Sequence, residues 1–80
     1  MKRIEIEEKV RSILIDDMEV DESKVYNEAL LKDDMGIDSL DYIDIVVLVD
    51  RIFGFKIKPE EMFNVKTFSE FCDYIEEKIA

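Results

Sequence analysis

Hydrophobic and polar positions alternate along this chain with a spacing that changes from segment to segment. Between residues 2 and 17, Ile6, Val10, Ile13 and Leu14 recur at helical intervals with acids and bases between them, which predicts an amphipathic helix. Ile4 and Ile15 fall off that stripe and are expected at the surface. Acidic residues near the start suit the positive end of the helix dipole. From Val20 to Asp38 the periodicity weakens, and Val25, Leu30 and Leu31 are the expected anchors into a core. A connection this long inside a small domain is uncommon and tends to carry function. Regularity returns at Ser39. Asp38 stands where an N-cap belongs, and Asp41, three residues on, completes a capping box with Asp in place of Glu. The predicted helix runs from Ser39 to Phe53, and Gly54 ends it. In "FKIKPEEM", a short extended link leads to Pro59, which can open a brief helical turn reaching Asn64. Thr67 or Ser69 starts a closing helix whose stripe is Phe68, Phe71, Cys72, Ile75 and Ile79. The expected fold is all-α: a small four-helix bundle of three longer helices and one short one. It has a long loop between the first two helices and forms one domain over residues 1–80.

The central helix is apolar on two sides. On a wheel of roughly 100° per residue, Tyr42, Ile45, Val46, Val49, Ile52 and Phe53 gather on one side, the natural core face. Leu40, Ile43 and Val47 fall roughly opposite, with Asp44 and Arg51 beside them. Two readings of this second stripe are open. It packs beneath the long loop, or it is an exposed apolar patch rimmed by Asp38, Asp41, Asp44 and Asp50, fit to dock a protein with an apolar hollow and a basic rim. In the second reading the acids act on encounter and orientation more than on raw affinity.

Charge favours a protein partner. The chain has 80 residues, 21 of them acidic and 11 basic, for a formal net charge of −10. Such a balance argues against nucleic acid or an anionic membrane surface, both polyanions, and for basic protein surfaces. A hydrophobic content of 48% is that of a folded chain. No apolar run is long enough to span a membrane, and the charged N-terminus lacks the apolar stretch of a secretory signal, so a cytoplasmic monomer is expected.

Histidine is absent and Cys72 is the one cysteine. A Ser-His-Asp or Cys-His catalytic arrangement cannot be assembled from these residues, and a zinc site lacks its ligands. Asp33, Asp34, Asp38, Asp41 and Asp44 do not follow the spacing of a calcium-binding EF-hand loop. No metal site of the chain's own is expected, and no enzymatic activity. Cys72, on the apolar stripe of the last helix, reads as a buried structural thiol.

What remains is Ser39. By default a first-turn serine has no task beyond starting a helix. Its surroundings suggest more, because a helix N-terminus offers unpaired N–H groups and a positive dipole that tolerate a phosphate on the hydroxyl. Asp38 and Asp41 could hold a divalent cation that a modifying enzyme brings with its phosphate substrate. Around these residues, in Gly36-Ile37-Asp38-Ser39-Leu40 and the longer run "DDMGIDSLDYIDIVVLVDRIFGFKI", the sequence resembles the acyl carrier proteins. The resemblance covers an acid-rich approach, an Asp-Ser-Leu signature, an amphipathic helix, a Phe-Gly stop and a short apolar link. It extends upstream to Val10, Ile13 and Leu14, and downstream to Thr67 and Phe68.

The resemblance implies that Ser39 carries a 4'-phosphopantetheine arm donated from coenzyme A, flanked by Asp38 and Leu40. Acyl cargo would ride on the arm's thiol as a thioester. By position, Asp41, Asp44, Val47 and Asp50 would join Asp38 and Leu40 in meeting the phosphopantetheinyl transferase and the acyl-processing enzymes. Ile45, Val49, Phe53, Ile57, Met62, Phe71 and Ile75 would line an interior that can shelter an acyl chain, and they also read simply as core. The implied role lies in fatty acid, polyketide or specialised lipid synthesis, with a peptidyl or D-alanyl carrier as the alternative. Arg51, Lys56 and Lys58 stand where fatty-acid carriers more often have other residues, and Tyr42 is bulkier than the small residue common beside the signature.

Overall fold

The computed structural model describes residues 1–79. Its helices are α1 (Arg3–Ser12), α2 (Ser39–Phe53), α3 (Pro59–Met62) and α4 (Phe68–Ile79), in an all-helical bundle of three longer helices and one short. The first helix begins where the Glu5 carboxylate accepts the Lys2 N–H at 3.1 Å, filling one of the orphan donors of a helix start. Its expected stripe is fully buried: Ile6, Val10, Ile13 and Leu14 lie in the core, while Ile4 is exposed. Ile15 is half-buried and packs against the core, so only one of the two off-stripe isoleucines faces solvent. The helical path continues through Ile13–Asp17 with a wider, π-type turn, in which the Met18 N–H reaches back to the Ile13 carbonyl at 3.0 Å.

The connection from Val20 to Asp38 is a structured part of the core. Val20, Val25, Ala29, Leu31, Met35 and Ile37 are all buried. A short 3₁₀ turn occupies Glu22–Lys24, with Asp21 as its cap. Beyond it, the chain is stitched to the segment before α4. The Leu31 N–H donates to the Lys66 carbonyl at 2.9 Å, and the Phe68 N–H donates to the Ala29 carbonyl at 3.0 Å. This pairing corrects one expected anchor. Leu30 forms an antiparallel bridge with Thr67 and is 37% exposed, whereas Leu31 is fully buried. Neighbouring side chains in extended backbone point to opposite sides, so only one of the two leucines can face inward.

The segment then turns through residues 31–36. Gly36 has φ of 73°, its N–H donates to the Lys32 carbonyl and the Ile37 N–H donates to the Leu31 carbonyl at 2.9 Å, which closes the turn and delivers Asp38 to the start of α2. Space beside Gly36 is open, so an added methyl group meets nothing. The cost of Gly36→Ala is therefore expected to be that of a left-handed backbone alone, about 1 kcal/mol, read as a lower midpoint in urea unfolding with an unchanged slope.

Helix α2 spans the expected residues and ends at Gly54, which adopts φ of 81°. Its inner face is narrower than expected: Ile45 and Val49 are buried, Tyr42, Val46, Leu48 and Phe53 are half-buried, and Ile52 is exposed. Ile52 lies in the last turn at the flank of the inner stripe, beyond the reach of the packed neighbours. Pro59 opens α3 as expected. Thr67 starts α4, its hydroxyl oxygen accepting the Glu70 N–H at 3.1 Å. Phe68, Phe71, Cys72 and Ile75 are buried, with Ile79 half-buried at the end. Burial pushes the Cys72 thiol up to about 12, which leaves it an inert core group.

Two polar clamps join the elements. Arg3 binds Glu7, Asp73 and Glu76 and donates to the Ser69 carbonyl, tying α1 to α4; the hydrogen bond to Asp73, foremost, raises its pKa above the usual arginine range. Between α3 and α4, the Tyr74 hydroxyl donates to the Glu61 carboxylate at 2.5 Å. Burial and this bond push the Tyr74 phenol from 10.0 up to about 12. A raised folded-state value stabilises the fold below the unfolded value, and the contribution is lost as pH rises from about 10 towards 12. Tyr74→Phe is expected to show a smaller loss of stability across that alkaline window than wild type, measured by thermal melts at stepped pH.

Candidate functional site

The start of α2 is built by reciprocal capping. One Asp38 carboxylate oxygen accepts the Leu40 and Asp41 N–H groups, each at 3.0 Å, and the Asp41 carboxylate accepts the Asp38 N–H at 3.1 Å. Both acids therefore hold the first turn in place, whatever else they meet. Ser39 sits between them on that turn and is exposed. Its hydroxyl has no hydrogen-bond partner among the described residues. The other serines differ. The Ser12 hydroxyl donates to Asp16 at 3.0 Å, the Ser23 hydroxyl donates to Asp21 at 2.9 Å, and Ser69 is half-buried. Ser39 thus presents an accessible hydroxyl on a capped helix start.

Leu40, Ile43 and Val47 are exposed at 73%, 57% and 51%. The long connection does not cover them, which decides between the two readings of this stripe. Asp44 lies beside them and is exposed, while Asp41 and Asp50 are half-buried. At about 1.5 Å per residue, Val47 stands roughly 12 Å along the helix from Ser39. The face therefore leads away from the serine as one apolar ribbon with acids at its edges. Met18 and Leu48 extend it sideways, forming with Asp17, Asp44 and Val47 a shallow hollow between the end of the first helical segment and α2. The acyl-lining candidates Ile45, Val49, Ile57, Met62, Phe71 and Ile75 are buried in the core, and Phe53 is half-buried.

A feature absent from the sequence reading lies on the other flank of Ser39. A cleft of about 380 Å³ opens there, bordered by Leu30, Lys32, Tyr42, Phe63 and Lys66 along with the serine itself. The Tyr42 and Phe63 rings stand 5.6 Å apart, tilted by 57°, a geometry typical of favourable aromatic pairs. Burial raises the Tyr42 phenol above its ordinary value. Tyr42 is therefore more than a core filler. Its ring is one wall of this cleft. The sequence held one signal for it, a bulky aromatic three residues after the serine, but the facing wall comes from residues 63 and 66, remote in the chain.

Comparison with known proteins bears on the chain as a whole. The family model for a phosphopantetheine attachment site matches residues 8–75. The chain is 42% identical to an acyl carrier protein of Thermotoga maritima, over 98% of this chain and 96% of the relative. It is 38% identical to an acyl carrier protein of Thermosynechococcus vestitus, over 100% and 99%, and 33% identical to one of Coprothermobacter proteolyticus, over 99% and 96%.

Proposed function

This chain belongs to the acyl carrier proteins of the phosphopantetheine-attachment family, and on that footing we propose that Ser39 is the residue that bears the group. The protein is a carrier with a covalently bound 4'-phosphopantetheine and not an enzyme. When bound, the group supplies a thiol that takes acyl groups as thioesters. The observation that carries the assignment to Ser39 is its exposed, unpartnered hydroxyl on a capped helix start, where the other serines are bonded or half-buried. Asp38 fixes the serine's position through its two N–H contacts, and Asp41 locks Asp38 in turn. In a transferase's site, the Ser39 oxygen would give up its proton and attack the pantetheine-bearing phosphorus of coenzyme A, forming the phosphodiester as the pyrophosphate bond breaks and adenosine 3',5'-bisphosphate leaves.

The partners are the phosphopantetheinyl transferase and acyl-processing enzymes with basic docking surfaces. They would meet Leu40, Asp44 and Val47 at the centre of the exposed face, with Asp50 at its edge. The charge of −10 supports this choice of partner. We take the unit of function to be one carrier domain over residues 1–80, working as a monomer in the cytoplasm. Its cargo is assigned to fatty acid or related lipid and polyketide synthesis. Two measurements test the reading. Incubation with coenzyme A and a transferase is expected to add one phosphopantetheine per chain by intact mass. Fatty acyl groups, rather than amino acids activated by an adenylating enzyme, are expected to load the resulting thiol. Preferential loading of an amino acid would assign the chain to the peptidyl or D-alanyl carriers instead.

A further inference from the structure

The exposed ribbon on α2 changes sign at its far end. Leu40, Asp44, Val47 and Arg51 follow one another at spacings of four, three and four residues, which sets them on one stripe of the helix, within roughly 60° of arc. All four are exposed. Asp44 gives the stripe a negative charge near Ser39, and Arg51 gives it a positive one two helical turns on, about 10 Å further along. The residues one turn to either side of Arg51 are Val47, Leu48, Gly54 and Phe55, so its near neighbours along the chain offer no acid to pair with. It forms no ion pair among the described residues. The other two arginines are both engaged: Arg3 with Glu7, Asp73 and Glu76, and Arg11 with Glu22 and the Val25 carbonyl. Beside Arg51, Ile52 is 38% exposed, and Lys56 adds a second exposed cation past the helix end. A cation in the last turn suits the helix dipole. That accounts for a positive residue near the end of α2, but a partner lying along the ribbon must still accommodate it.

A standard protein interface takes about 800 Å² from each side, roughly a disc of 16 Å radius. Centred on Asp44, such a disc reaches Ser39, about 8 Å up the helix, and Arg51, about 10 Å down it. An enzyme that acts at Ser39 through this ribbon therefore covers Arg51 as well. An apolar surface there would bury the guanidinium unpaired, and a basic one would repel it. A carboxylate there can accept two parallel hydrogen bonds from it. We propose that the transferase that modifies Ser39 carries a carboxylate opposite Arg51, two helical turns from the basic group that meets Asp44. The proposal rests on the ribbon being the docking face and on Ser39 being the residue modified. It makes the match two-signed and Arg51 a determinant of specificity. A wholly basic partner surface meets Asp44 well and Arg51 badly.

The sign of one charge reversal tests this. The chain already carries −10, so a wholly basic partner should bind Arg51→Glu faster than wild type. A partner with a carboxylate opposite Arg51 should bind it more slowly. The probe is the phosphopantetheinyl transferase from the cell that makes this chain, with coenzyme A, acting on the full chain under single-turnover conditions at low and high salt. Modification is expected to slow about threefold in Arg51→Gln and about tenfold in Arg51→Glu, to stay near wild type in Arg51→Lys, and to differ less among them at high salt. Thermal melts separate these effects from loss of the helix-end charge, and Arg51→Gln serves if the glutamate variant fails to fold. Replacing the transferase's surface carboxylates by arginine one at a time is expected to reveal one change that restores the rate of Arg51→Glu. Equal or faster modification of folded Arg51→Glu or Arg51→Gln, with Leu40→Glu and Val47→Glu still slow, would overturn the proposal and leave the docking face in place. Slowed variants that no partner substitution restores would overturn the pairing. Unchanged rates in Leu40→Glu and Val47→Glu as well, or a chain that takes no arm, would overturn the docking or Ser39 reading and the proposal with it.

Discussion

Ser39→Ala takes up no phosphopantetheine and keeps its fold: this is the largest effect expected of any single substitution here. The Ser39 hydroxyl oxygen is the atom assigned here to form the phosphodiester, so its removal is expected to leave no partial activity. Nothing in the fold depends on it. Ser39 is exposed, its hydroxyl bonds to none of the described residues, and the capping bonds of Asp38 and Asp41 run through other atoms. Alanine is also the better helix former, so stability is expected to change by less than about 0.5 kcal/mol. Intact mass after incubation with coenzyme A and a transferase reads the loss, and a thermal melt reads the retained fold. Mass gain in the variant, or collapse of its melting transition, contradicts the account.

The second large effect belongs to the face leading away from that serine. Leu40→Glu and Val47→Glu are each expected to slow modification and acyl transfer by about tenfold or more, equivalent to about 1.4 kcal/mol of lost contact. Both side chains are already more than half exposed, so a charge there costs the fold little. Against a basic partner, the new carboxylate adds attraction at long range but must be buried at the apolar contact, and the desolvation cost dominates at close range. Asp44→Asn should behave differently, lowering the association rate and its salt dependence with less effect on the docked complex. Rates are read under single-turnover conditions with each variant's melting temperature as control. Unchanged rates in both glutamate variants would mean that the stripe is idle.

Much of this was legible in the sequence because it is local. The capping box, the helix from Ser39 to Phe53 and its glycine stop depend on residues within a few positions of one another, and all three stand as expected. The first helical stripe was equally plain, although its π-type ending left no mark in the periodicity. Leu30 and Leu31 could not be told apart, since the choice is made by pairing with Lys66 and Thr67, more than thirty residues away. The same pairing turns the weakly periodic connection into part of the core. Ile52 was misjudged because an ideal wheel does not reveal where the packed neighbours end. The cleft was invisible for a related reason: Lys32, Tyr42, Phe63 and Lys66 share no sequence motif and meet only in the fold.

The central claim, that Ser39 bears the arm, is open to a direct measurement. Trypsin cuts after Lys32 and Arg51, and fragment 33–51 contains Ser39 as its one serine and no threonine. Fragmentation mass spectrometry of the loaded protein is expected to find the phosphopantetheine on this fragment, at Ser39. An unmodified fragment 33–51 from a loaded chain, with the added mass on a fragment carrying Ser12, Ser23 or Ser69, would contradict it.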